Sequence, residues 1–195
     1  MTCWVVIPFK EPGQAKGRLA KALSEAERAA LASAMLHHVV GVARAANHAQ
    51  QISLLGPTRL GLPDDIPLLA DPGTGLNPAL HAALAHVSQL GGSRMIVLFA
   101  DLPLLTSLDI ELLALAPPET IAIAPDRHGT GTNALSLPLP RAKSFTFAFG
   151  PDSFAQHHAE AYRLGIGIEE VHSQGLARDI DMPEDLPDAA GLMPG

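Results

Sequence analysis

The chain has 195 residues, of which 47% are hydrophobic and 17% are charged, and we expect one globular domain spanning residues 1–195. A net charge of -7 argues against a general nucleic-acid binder, and no apolar run is long enough to span a membrane. The sequence has one cysteine, Cys3, and begins without a secretory signal pattern, so we expect a cytoplasmic protein.

Strand-like and helix-like segments alternate along the whole chain. Strands are predicted at 4–9, 52–55, 67–70, 95–100, near 121 and near 134, and helices at 24–46, 79–90, 107–115, 153–164 and after 183. The first helix opens with the capping-box pattern of Ser24 and Glu27. This order predicts an α/β fold with a mostly parallel central sheet and helices on both faces, in which ligands bind beyond the carboxyl ends of the strands.

A cluster of basic residues follows the first predicted strand. Lys10, Lys16, Arg18 and Lys21 lie in this turn together with Gly13, although neither a dinucleotide-binding glycine motif nor a P-loop is present. Arginine can grip a phosphate with two hydrogen bonds and lysine adds a point charge, so the turn suits a triphosphate. A solvated basic helix start is the alternative.

Two acidic positions are candidate Mg²⁺ ligands. Asp101 ends an apolar strand, where a carboxylate could hold Mg²⁺ or could cap the next helix. Asp179 and Asp181 point the same way if the chain is extended there. Pro183 could begin a helix, so helix capping is an alternative for Asp181 as well.

The histidines and serines support no other chemistry. The histidine pairs at 37/38, 81/86 and 157/158 lack zinc-ligand spacing, and we interpret them as helix-surface residues. The chain contains no Gly-x-Ser-x-Gly motif, so a hydrolase triad has no support.

The segment 124–135 carries the largest concentration of functional groups. Polar side chains and glycines alternate between two strand-like runs, and the segment is longer than a hairpin turn requires. Successive N–H groups could form an anion-binding nest there, with a polar surface loop as the alternative. The side chains concerned are Asp126, Arg127, His128, Thr130, Thr132 and Asn133.

Together these motifs resemble the CofC/FbiD family of guanylyltransferases in coenzyme F420 biosynthesis, and the resemblance covers essentially the whole chain. The segments that carry it are 7–10, 16–19, 75–77, 101–103, 125–133, 149–154 and 179–181. The resemblance implies a GT-A-like (Rossmann-like) nucleotidyltransferase fold and transfer of GMP from GTP to a phosphorylated three-carbon acid. The acid could be phosphoenolpyruvate, 2-phospho-L-lactate or 3-phospho-D-glycerate.

The family pattern also implies roles for individual residues. Mg²⁺ would be held by Asp101 with Asp181, and the catalytic set would be Asp101 with Lys16 and Arg18, which stabilise the departing pyrophosphate. The implied GTP contacts are Lys10, Lys16, Arg18, Gly75 and Asn77, and the implied acceptor contacts are Thr132, Gly150 and Ser153. The roles of Arg127, His128 and Asn133 stay open.

Other functions remain open at this point. The same motifs could serve a molybdopterin or sugar-phosphate acceptor, or a non-catalytic nucleotide sensor. Retention of both Asp101 and the Lys16/Arg18 pair counts against a sensor. The sequence does not fix the oligomeric state, and a homodimer is one assembly open to it.

Overall fold

A seven-stranded sheet runs through the computed structural model, which describes residues 2–11, 16–71 and 73–193. The strands are β1 (Cys3–Pro8), β2 (Gln51–Leu55), β3 (Leu68–Leu69), β4 (Arg94–Leu98), β5 (Thr120–Pro125), β6 (Thr132–Pro138) and β7 (Gly167–Glu170). Their spatial order is β3-β2-β1-β4-β6-β5-β7. All neighbouring pairs are parallel except those of β6, which is antiparallel to both β4 and β5.

Five α-helices lie among the described residues: α1 (Glu25–Ala45), α2 (Leu76–Gln89), α3 (Ser107–Ala114), α4 (Ser153–Leu164) and α5 (Gln174–Ala177). The capping box is confirmed, since Ser24 Oγ accepts from the Glu27 N–H and the Glu27 carboxylate accepts from the Ser24 N–H. Helix α2 begins earlier than predicted, because Pro78 lies in its first turn, where a missing N–H costs nothing.

Two elements were not predicted, β7 and α5. Strand β7 pairs with β5 in parallel at the edge of the sheet. Three of its four residues are exposed, so it carries no buried apolar run that sequence reasoning could recognise.

The sheet is buried on both faces. Val5 and Ile7 of β1 contribute to one apolar core with residues of α1 and α3, whereas Trp4 and Val6 contribute to a second core with residues of α2. The mostly parallel sheet with helices on both faces is therefore confirmed. In the part of the chain that is described, no helix combines the length and the apolar character needed to cross a membrane.

Two short 3-10 helices complete the ends of the site. One, Gly17–Lys21, follows the first strand and carries Arg18 and Lys21 of the basic cluster, with Lys16 as its N-cap residue. The other, Pro183–Leu192, follows the acidic segment and begins at the proline that the sequence marked as a helix start.

Candidate active site

A cavity of about 500 Å³ lies beyond the carboxyl ends of β1, β2 and β4. This is the edge at which ligands bind in open α/β sheets. Six of the predicted site residues line the cavity: Lys10, Lys16, Arg18, Gly75, Asp101 and Asp181. The predicted glycine Gly13 lies outside the described residues.

Three carboxylates meet beside this cavity. Asp101, Asp179 and Asp181 each offer an oxygen within 4.8 Å of the others. A hydrogen bond from the Ile180 N–H to the Asp101 carbonyl, 3.2 Å long, ties the two chain segments together. The set is suited to a hard divalent cation, because carboxylate oxygens are the ligands that such ions prefer. Asp179 was missing from the predicted metal set, although its spacing from Asp181 was the signal for it.

Helix capping does not explain Asp101. The start of α3 is capped by Thr106 and Asp109, whose carboxylate accepts from the Thr106 N–H at 2.8 Å and from the Thr106 hydroxyl at 2.7 Å. Oδ1 of Asp101 is buried and accepts no hydrogen bond from any described residue. A buried oxygen without a partner is costly, so Oδ1 of Asp101 is suited to a bound ligand such as a cation.

Two basic side chains lie against the carboxylates. Nζ of Lys16 is 2.5 Å from Asp101 Oδ2 and 3.4 Å from Asp181 Oδ1. A guanidinium nitrogen of Arg18 lies 3.0 Å from Asp181 Oδ2. The Lys16 side chain is only 8% exposed, and burial alone would lower the pKa of its ammonium; Asp101 above all outweighs burial and holds that pKa above its ordinary value.

The third carboxylate has a different environment. Burial raises the pKa of Asp179, and the nearby Asp101 and Asp181 charges add to that rise, whereas a hydrogen bond from Asn133 opposes it. Three carboxylates thus face two cationic side chains, and the excess negative charge favours one more cation at the cluster.

The loop between β5 and β6 is stabilised mainly by its own polar groups. The Asp126 carboxylate accepts from the N–H groups of His128 at 3.2 Å and Thr130 at 2.9 Å. These two N–H groups are therefore occupied. The prediction that the loop forms an anion-binding nest is wrong for these two groups. A Cβ on Gly131 would lie 2.7 Å from the Asp126 carboxylate, which explains the glycine. Arg127 pairs with the buried Asp185 at 2.5 Å.

The predicted acceptor residues form a second cluster at the start of α4. Thr132 and Ser153 are each 2% exposed, and their hydroxyl oxygens are 3.4 Å apart. Gly150 has φ of 139°, a conformation that side-chain-bearing residues rarely adopt. The cluster includes His157, which is 0% exposed, so its interpretation as a helix-surface residue is wrong.

Two asparagines connect the cavity to the acceptor cluster. The Asn133 amide donates to the Leu176 carbonyl at 2.9 Å and to Asp179 Oδ1 at 3.2 Å, which holds a carboxylate of the cluster in place. The Asn77 side chain donates to the Phe149 carbonyl at 3.1 Å and accepts from the Phe149 N–H at 2.9 Å. Asn77 thus fixes the loop that leads to Gly150, and its predicted contact with GTP stays a prediction.

The fold is shared with nucleotide-dependent transferases of known structure. A protein from Desulfovibrio desulfuricans G20, assigned as a nucleotide-diphospho-sugar transferase, superposes with a TM-score of 0.79 at 16% identity, over 94% of this chain and 84% of that one. Glucosyl-3-phosphoglycerate synthase from Mycobacterium tuberculosis, in complex with Mn²⁺, uridine diphosphate and glucosyl-3-phosphoglycerate, gives 0.63 at 13% identity, over 95% and 74%. This likeness shows a GT-A-like (Rossmann-like) nucleotidyltransferase fold.

Sequence comparison narrows this class. Residues 3–190 match the family described as "Guanylyl transferase CofC like", and the chain belongs to that family. Phosphoenolpyruvate guanylyltransferase of Sphaerobacter thermophilus is 39% identical over 100% of this chain and 95% of its own. The 2-phospho-L-lactate guanylyltransferase of Halorubrum lacusprofundi is 35% identical over 93% and 81%.

Proposed function

We propose that this enzyme transfers GMP from GTP to a phosphorylated three-carbon acid and releases pyrophosphate. The observation that carries the proposal is the meeting of Asp101, Asp179 and Asp181 with Lys16 and Arg18 at one end of the cavity. A nucleotidyl transfer needs both a cation-binding carboxylate set and positive charge for the leaving group, and this cluster supplies both. The guanylyltransferase names of the relatives support the same reaction.

The carboxylate cluster fits Mg²⁺. The donors are all oxygens, the cluster has excess negative charge, and Asp101 Oδ1 has no protein partner among the described residues. Glucosyl-3-phosphoglycerate synthase, which shares the fold, was solved in complex with Mn²⁺ and uridine diphosphate, and this supports a divalent metal here. We propose Asp101, Asp179 and Asp181 as the residues that hold it. When bound, the ion would withdraw charge from the α-phosphate of GTP.

The chain's own groups orient the substrates and stabilise charge. The acceptor's phosphate oxygen is already anionic, so it needs positioning against the α-phosphorus and no general base. The new bond joins that oxygen to the α-phosphorus, and the bond to the β-phosphate oxygen breaks. Lys16 and Arg18, at the cavity wall, are placed to stabilise the negative charge that the pyrophosphate carries away.

The far end of the cavity supports guanine over adenine. Asp71 lines the cavity beyond β3, which lies three strand spacings, about 14 Å, from β4. One oxygen of this carboxylate, Oδ1, accepts from the Gly73 N–H at 2.8 Å. Guanine offers N1–H and an amino group as neighbouring donors to a carboxylate, whereas N1 of adenine is an acceptor.

Phosphoenolpyruvate is the first acceptor to test, since relatives at 39% and 38% identity carry that name. Purified protein with Mg²⁺ and GTP should release pyrophosphate when phosphoenolpyruvate, 2-phospho-L-lactate or 3-phospho-D-glycerate is added singly, and ATP should support at most a small fraction of that rate. Release with none of the three acids would contradict the proposal. The alternative hypothesis, a molybdopterin or sugar-phosphate acceptor, would then be favoured.

We predict that Asp101→Asn reduces pyrophosphate release at least a hundredfold, because it removes a charged cation ligand and the partner of Lys16. Asp64→Asn is the matched control, since the Asp64 carboxylate is exposed and does not line the cavity. Near-normal turnover by Asp101→Asn with an unchanged circular dichroism spectrum would exclude this carboxylate from the metal site.

Four narrower assignments stay predictions: one domain over residues 1–195, a homodimer, a cytoplasmic location, and a place in coenzyme F420 biosynthesis. Sedimentation at micromolar concentration would test the dimer directly.

A further inference from the structure

His157 lies between Thr132 of β6 and the loop that leads to Gly150. It is fully buried on α4, with the rings of Phe145 at 5.7 Å and Phe149 at 4.6 Å from its own ring. Its Nε2 accepts from the Ala148 N–H at 3.1 Å, and its Nδ1 lies 3.0 Å from Thr132 Oγ1. The one imidazole therefore joins the start of β6 to the loop that leads to Gly150.

These contacts decide which ring nitrogen carries the proton. A backbone N–H can only donate, so Nε2 must be the acceptor, and the proton of the neutral ring must be on Nδ1. Burial, with a smaller contribution from His158, lowers the pKa of His157 from 6.5 to about 4, so the ring is neutral at physiological pH. Nδ1–H consequently donates to Thr132 Oγ1.

This donation determines what Thr132 can do. Its oxygen accepts from His157 and also lies 3.4 Å from the Ser153 hydroxyl, which donates to it. Two hydroxyl groups and one hydrogen bond between them leave one hydroxyl proton without an acceptor among the described residues. A buried donor without a partner points to a ligand that accepts hydrogen bonds.

Two backbone N–H groups at the start of α4 are not free to bind an anion. The N–H groups of Ser153 and Phe154, in the first turn of α4, already donate to the carbonyls of Gly150 at 3.2 Å and Thr130 at 3.0 Å. Because these two amides are occupied, the hydroxyl proton of the Thr132–Ser153 pair is the donor we consider for a bound anion.

We propose that His157 is a positioning residue, which fills a lone pair of Thr132 and so directs a hydroxyl proton of the Thr132–Ser153 pair at an anionic oxygen of the phosphorylated acid. The inference rests on the proposed function, because it takes these hydroxyls as acceptor-binding groups. It adds a residue that touches no substrate and acts through the polarity of one hydrogen bond.

Two substitutions separate the two hydrogen bonds of the ring. His157→Asn places an amide N–H near the Nδ1 position and can still donate to Thr132, but loses the acceptor for Ala148. His157→Gln extends further and can accept from Ala148, while its donation to Thr132 is lost. We expect His157→Gln to raise the KM for phosphoenolpyruvate about tenfold with the KM for GTP within twofold, and His157→Asn to recover most of that loss.

A double-mutant cycle shows whether the effect passes through Thr132. If it does, Thr132→Val and the combined His157→Gln/Thr132→Val variant have the same KM for phosphoenolpyruvate. His158→Gln is the matched control on the same helix, because its side chain pairs with Glu170 rather than with the acceptor cluster. Protection of each variant from thermal unfolding by phosphoenolpyruvate gives a binding readout that does not depend on turnover.

The outcomes separate this proposal from the proposed function. A wild-type protein that neither turns over nor binds any of the three acids would overturn the proposed function. Wild-type turnover with equal rises in both KM values for His157→Gln, or with additive effects in the cycle, would leave the function intact and show that His157 only supports the fold.

Discussion

Thr132 and Asn133 are neighbours on β6, yet each belongs to a different part of the site. Because side chains alternate along a strand, they point to opposite faces. Thr132 lies in the acceptor cluster, whereas Asn133 donates to Asp179 of the carboxylate cluster. A single step along the chain thus links a proposed acceptor-binding residue to a proposed cation ligand. A nucleotidyl transfer needs these two groups in a fixed relative geometry.

The neutral state of His157 has a consequence for stability. Its folded pKa is about 4 and its ordinary value is 6.5, so between these pH values the unfolded chain takes up a proton that the folded chain does not. Titration of His157 leaves the free energy of unfolding unchanged above pH 6.5 and lowers it as the pH falls from 6.5 toward 4. Each pH unit in that window costs about 1.4 kcal/mol.

We therefore predict that the free energy of unfolding of the wild type falls by about 2–3 kcal/mol more than that of His157→Asn between pH 7 and pH 4.5. Urea unfolding followed by circular dichroism measures both. His128→Gln, which removes an exposed histidine, should keep the wild-type pH dependence. Parallel pH profiles for the wild type and His157→Asn would show that folding does not lower the pKa of His157.

At the scale of elements, the β5–β6 loop and the C-terminal 3-10 helix are joined by one ion pair. Arg127 lies 2.5 Å from Asp185, which is 1% exposed and also accepts from the N–H groups of Asp181 and Met182. Asp185 thereby fixes the backbone of Asp181, which is a proposed cation ligand. Arg127, whose role the sequence left open, is a structural residue of this junction.

We predict that Arg127→Ala lowers the free energy of unfolding by about 2 kcal/mol, since it leaves a buried carboxylate with backbone partners but no counter-charge. Arg127→Lys keeps the charge and should lose less. Chemical denaturation of the three proteins tests this. Equal midpoints and slopes for the wild type and Arg127→Ala would mean that the pair contributes nothing to stability.

The sequence predicted correctly those elements that are determined by residues close together in the chain. Helix α4 was predicted with its observed bounds, and the capping box of α1 was confirmed. The strand β7 was missed because its residues are mostly exposed. Asp179 and His157 were misjudged for another reason: their partners Asp101, Asn133 and Thr132 are distant in sequence, and no spacing rule reports such contacts.

At the scale of the whole molecule, the direction of β6 explains why the site has two clusters so close together. Strands β1 and β4 end at the cavity edge, and β6, being antiparallel to β4, begins there. The first residues of β6 therefore join the last residues of the parallel strands. The sequence predicted a mostly parallel sheet but not which strand would be reversed.

The two apolar cores lie on opposite faces of one sheet, so we predict that the chain unfolds in a single cooperative transition. The only tryptophan, Trp4, is buried in the core that includes residues of α2. Its fluorescence and the far-ultraviolet circular dichroism should therefore report the same melting temperature. Two separated transitions would contradict the single-domain prediction.

The placement of Lys16 among the carboxylates has one more consequence. Its ammonium group compensates part of their mutual repulsion from within the polypeptide. Chain assembly and metal loading can then be separate events, in contrast to small zinc domains that fold only around their ion. The proposed metal ion would then bind to carboxylates that the folded chain already holds together.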